Sequence, residues 1–108
     1  MCETVLCAAN SYKKKYYFNQ EFGKLPEQVK DELKSMSVLF TEEVGGVFEM
    51  VFDEDGELII KTEAEENDPA YDEIGSGLLV KKLRSEKRQL FEELTLFYKV
   101  VFLGEEAE

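Results

Sequence analysis

Carboxylates are the side chains this sequence offers most freely for chemistry, and they crowd into one third of it. Between Thr41 and Glu73 stand thirteen Asp and Glu residues against one cation, Lys61, a net charge of −12. Residues 1–40 sum to +1 and residues 74–108 to zero, which accounts for the overall −11. Such density suits two tasks: holding divalent cations on oxygen ligands, and attracting basic partners. The same field repels nucleic acid and anionic lipid, so neither is expected as a partner. The likeness of a carboxylate array to a phosphate backbone also leaves open a decoy for a DNA-binding protein.

Within the array one motif resembles a calcium loop. If Asp53 and Asp55 of Asp53-Glu54-Asp55-Gly56-Glu57 are the third and fifth ligands, the first falls on Val51 and the twelfth on Thr62. Neither suits the role, so the motif reads as a hairpin turn. Glu63–Asp68 reads as a solvated acidic linker. The chain has no histidine, the commonest general base and metal ligand. It has no nucleophile elbow and no P-loop, and Gly75-Ser76-Gly77 lacks the further glycine and preceding strand of a dinucleotide fingerprint. No catalytic residue, cofactor or metal ligand is therefore expected. Cys2 and Cys7 lie about 16 Å apart on an extended segment, beyond disulfide reach, and read as reduced thiols.

Two basic stretches balance the acids. Tyr12-Lys13-Lys14-Lys15-Tyr16-Tyr17-Phe18 interleaves bases with aromatics as single-strand binders do. The net charge argues instead for a hairpin tip whose lysines protect a sheet edge. Lys81–Arg88 carries +4, and its expected partner is the acidic segment, within one chain or across a dimer.

The elements that must position these groups follow from periodicity. Val5–Ala9 and Tyr16–Phe18 read as a strand pair. Pro26 opens a helix whose Val29, Leu33, Met36, Phe40 and Val44 share one face, ending at Gly45-Gly46. Val47–Phe52 alternates, with Phe48, Met50 and Phe52 on one side, and Leu58–Lys61 returns. Asp68-Pro69 starts a last helix carrying Leu79, Leu83, Leu90, Leu94, Phe97 and Val101 on one face. Unbroken to Leu103 it would run about 52 Å, against about 34 Å for a compact domain of this size. A bend near Gly75-Ser76-Gly77, together with packing on a second copy, resolves the conflict; the rival reading makes Thr95–Leu103 a strand.

The fold class expected is α+β, an antiparallel sheet from two hairpins with two helices on one face, in the order ββαββα with a long C-terminal helix. Residues 1–104 form one domain and 105–108 an acidic tail. The N-terminus has no secretory pattern and no stretch is long enough for a bilayer span, so a cytoplasmic protein is expected.

Three stretches carry a resemblance: Val5–Tyr12 with Lys15–Asn19, Tyr71–Gly77, and Leu96–Glu105. Together they resemble a family of small acidic uncharacterised proteins, a domain of unknown function, from anaerobic Gram-positive bacteria. The resemblance implies a cytosolic bacterial protein and brings no activity or catalytic residues with it.

The expected function is a non-enzymatic protein-interaction domain, an adaptor or a chaperone-like holder of a basic client. Glu42, Glu43, Glu65 and Glu66 are the partner-binding candidates. Leu90, Leu94, Phe97 and Val101 are the candidates for a homodimer interface. The alternative is a small-molecule or divalent-cation binding domain using Tyr12, Tyr16, Tyr17 and Tyr71 with nearby carboxylates.

Overall fold

A computed structural model describes residues 3–65, 68, 69 and 71–104. Its elements are β1 (Thr4–Asn10), β2 (Lys15–Phe18), a 3-10 turn at Gln20–Phe22, α1 (Glu27–Val44), β3 (Val47–Phe52), β4 (Leu58–Glu63), α2 (Glu73–Glu86) and α3 (Arg88–Val101). All strand pairs are antiparallel and the sheet order is β2-β1-β3-β4. Each hairpin is thus a half-sheet, and the halves join through β1 and β3.

Alternation decides which face of the sheet is covered. Phe48, Met50 and Phe52 are wholly buried. Phe48 packs at a tilt against Phe40 of α1 (4.6 Å between ring centres) and Phe52 stacks on Tyr98 of α3 (4.3 Å), so both helices lie on that face. On β1 the register shifts between Val5 and Cys7. The intervening Leu6 is extra, and Leu6 and Cys7 both reach the core. Phe22 closes one end, packing between Phe52, Tyr98 and Phe102. Burial of each such ring stabilises the fold by about 1.5–3 kcal/mol.

Helix α1 forms as its periodicity predicts, with Leu33, Met36, Phe40 and Val44 buried. Pro26 sits at its cap rather than in its first turn. Gly45 and Gly46 both take positive φ after it. A side chain at Gly46 is excluded: its Cβ would fall within 3 Å of the Glu63 carbonyl and the Tyr71 ring. The β3–β4 turn is held by Asp53, whose Oδ1 accepts from the amides of Asp55 and Glu57 at 2.9 Å each.

The C-terminal region departs from expectation in three ways. The element order ends in two helices, not one. The helix starts at Glu73, capped by Asp72, whose Oδ1 accepts from the Gly75 amide at 2.8 Å. Gly75-Ser76-Gly77 is therefore the first turn, where Ser76 is buried and bonded to the Tyr71 hydroxyl at 3.0 Å. The break falls instead at Lys87 (φ −105°, ψ 20°), giving two helices of about 21 Å each in a molecule 47 Å long. The strand reading of Thr95–Leu103 fails because Phe91, Leu94 and Tyr98 bury one helical stripe, with helix persisting to Val101.

Candidate functional site

The inward stripe of α1 leaves two flanks, and each borders a concavity. On one side Lys34, Val38, Thr41 and Glu42 face the β1–β2 hairpin across a cavity of about 710 Å³. Lys14, Lys15 and Tyr16 line its far wall. Hydrogen bonds from the Tyr12 and Lys13 amides to Asn10 Oδ1 (2.9 and 3.2 Å) shape the turn, and Lys14 takes a left-handed φ of 52°. Ser11 anchors that turn to the end of α1, its amide and its hydroxyl both donating to the Gly46 carbonyl. Among the described residues Lys14, Lys15 and Lys34 make no ion pair.

Beside this cavity lies a buried polar group. Cys7 Sγ is 3.7 Å from Ser37 Oγ. The Tyr16 hydroxyl is close enough to the thiol to interact with it, but has no partner in normal hydrogen-bond geometry among the described residues. Burial pushes the Cys7 thiol from 9.0 up to about 11, and burial likewise raises Tyr16. A thiol so placed stays protonated at neutral pH and is no nucleophile.

On the other flank of α1 a groove of about 250 Å³ runs against α2. Its floor is apolar (Met36, Phe40, Leu79, Leu83), and its rim carries Glu32, Glu43 and Glu86 with Lys82 and Lys87. Lys87 donates to Glu32 at 2.8 Å and ties the α2–α3 junction to α1. Leu39 on the groove is 57% exposed. Leu78, one turn before Lys82, is 64% exposed, and Ile74, one turn earlier, is 79% exposed.

The described carboxylates among those expected to bind a partner do not converge. A single residue step turns a helix by about 100°, so Glu42 and Glu43 border different concavities. Glu65 is tied through its amide to the Tyr12 hydroxyl at 2.9 Å, and Glu66 lies outside the described residues. The dimer candidates also divide. Leu90 and Leu94 are 8% and 2% exposed within one chain's own core, Phe97 packs near Phe22, and only Val101 is substantially exposed at 49%. A second copy could not reach Leu90 or Leu94 without opening that core.

The tyrosines scatter as well. Tyr16 alone joins the lysine cavity; Tyr12 donates to Asp68 at 2.6 Å, Tyr17 is exposed, and Tyr71 covers Gly46. The hydrogen bond to Asp68 raises the Tyr12 hydroxyl's pKa. The basic stretch meets little of the acidic segment. Arg84 donates to the Leu58 carbonyl at 3.2 Å, Lys87 pairs with Glu32, and Arg88 pairs with Glu92 at 3.9 Å. Lys61, the acidic segment's own cation, pairs with Glu3. Among the described residues no three Cys, Asp or Glu side chains gather to hold a metal, and no helix is long and apolar enough to cross a membrane.

Spacing concealed the lysine cavity, although one signal was present. Lys34, Val38 and Thr41 stand four and three apart beside the core stripe of α1, a second helical row.

The fold and its two flanking concavities define a class: a small α+β domain with one antiparallel sheet layer under three helices. A family model matches residues 3–106, nearly the whole chain. The chain belongs to that family, described as a family of unknown function (DUF6145). Neither the curated proteins nor the solved structures provide a match.

Proposed function

We propose that this chain is a non-enzymatic protein-interaction domain that holds a basic, amphipathic segment of a partner along the α1–α2 groove. One observation carries the reading. Leu39, more than half exposed, lines a groove with an apolar floor and the carboxylates Glu32, Glu43 and Glu86 on its rim, and the exposed Leu78 and Ile74 precede its Lys82 by one and two turns of α2. Large apolar side chains clustered at a polar-rimmed depression are what a partner helix buries, and the carboxylates favour basic residues on its edges. The compartment that goes with this reading is the cytoplasm, where a free thiol such as Cys7 stays reduced.

The test uses two synthetic amphipathic helical peptides with the same leucine face, one lysine-rich and one glutamate-rich. Fluorescence anisotropy should show binding of the lysine peptide, weakened by salt and reduced at least tenfold by Leu39→Glu or Leu78→Glu. Equal binding of both peptides, or indifference to both substitutions, would sink the proposal. A sedimenting dimer of the wild-type chain, dissolved by Leu78→Glu, would hand the surface to a second copy instead.

A further inference from the structure

The lysine cavity on the opposite flank of α1 is independent of that groove. In a chain with 24 acids and 13 bases, three lysines line one concavity, and none takes a carboxylate partner among the described residues. Lys14 and Lys15 arrive from the hairpin and Lys34 from α1, so two elements remote in sequence line one space with cations. Glu42 is the one carboxylate on its wall, leaving a local charge of +2 inside a molecule of −11. An anion entering this recess would meet three cations and one carboxylate.

We propose that this cavity binds a small organic phosphate. Its volume, about 710 Å³, lies within the range of small-molecule sites and far exceeds what inorganic phosphate would fill. The lysines suit a dianionic phosphate as point charges. Ala9, Val38 and the half-buried Tyr16 ring offer apolar surface to the organic body. Glu42 accepts hydrogen bonds from ligand hydroxyl or amino groups. So do Ser11 and Thr41, whose own hydrogens go to the Gly46 and Val38 carbonyls. This set of partners matches a phosphate ester bearing hydroxyl groups, of nucleotide or sugar-phosphate size.

The test is calorimetric titration of the full chain with adenosine monophosphate, glucose 6-phosphate, inorganic phosphate, adenosine and glucose. At least one ester should bind more tightly than inorganic phosphate, and neither unphosphorylated compound should bind. Lys15→Gln with Lys34→Gln should weaken that ester at least tenfold. Lys81→Gln with Lys82→Gln changes the net charge equally and should leave its affinity within twofold. No heat with either ester at 10 mM, or equal losses in both double variants, would overturn the site. Tighter binding of a single-stranded oligonucleotide than of adenosine monophosphate would also overturn it, in favour of a nucleic-acid surface.

Discussion

The two flanks of α1 are built from one helix and have opposite character. Toward the hairpin, the helix presents Lys34, Val38, Thr41 and Glu42 to two further lysines, with the Cys7, Ser37 and Tyr16 polar group nearby. Toward α2, it presents Ser35, Leu39 and Glu43 over an apolar floor. The difference lies in the neighbours. A short strand with an Asx-held turn brings flexible cations, whereas a second helix brings a hydrocarbon row. A region's net charge is therefore a poor guide to the charge in its concavities. The acidic third of the chain supplies Glu42 to a basic cavity.

The largest effect should come from unseating the helix that both flanks share. Phe40, on the inward stripe of α1, packs on Phe48 and borders the α2 groove. Phe40→Ala is expected to destabilise the fold by about 3–5 kcal/mol in urea titrations and to abolish binding on both sides. A loss below about 1 kcal/mol would mean that the flanks are seated independently.

Alkaline pH should separate the flanks. The native state holds the Cys7 proton up to about pH 11, whereas the unfolded thiol releases it near 9.0. Stability is therefore complete below pH 9 and drains as pH rises toward 11, by ~2–3 kcal/mol for this thiol. Tyr16, raised by burial, adds in the same direction. Urea midpoints should fall less steeply between pH 8.5 and 10.5 in Cys7→Ala; parallel curves would remove the thiol from the account.

The smallest effect belongs to the α2 side alone. Asp72→Ala deletes the cap on Gly75 and should cost about 1 kcal/mol. Hydrogen exchange should rise in the first turn of α2 and not at the β1–β2 hairpin. Equal acceleration at both would show that the flanks unfold as one unit.

Short-range signals made much of this legible from sequence. The alternation of Phe48, Met50 and Phe52, the stripe of α1, and the Asp53–Gly56 turn are each contained within a few residues, and each forms as its pattern requires. The break at Lys87 has no such signal, for neither glycine nor proline marks it. Tertiary packing imposes it, because Leu83 and Leu90, on either side of the break, both reach one core. Gly75-Ser76-Gly77 misled because glycines fit a capped first turn as well as a bend. The sites were less legible still. Leu90 and Leu94 look like an interface until the sheet is laid under them, and Lys15 meets Lys34 only through the packing of α1 beside the β1–β2 hairpin, which no local pattern announces.

The β1–β3 pairing at the middle of the sheet bears on the order of events in folding. Asn10 of β1 lies opposite Val47 of β3, with 36 residues enclosed between them, whereas the β3–β4 turn encloses five. Closing the longer loop costs roughly 2 kcal/mol more entropy than closing the shorter. Each hairpin can fluctuate into shape within microseconds, but the halves meet only after that slower search. Helix α1, a wall of both concavities, lies within that longer loop and has no complete sheet face to pack on until the halves meet. A chain caught midway therefore lacks a settled site for the proposed phosphate or partner.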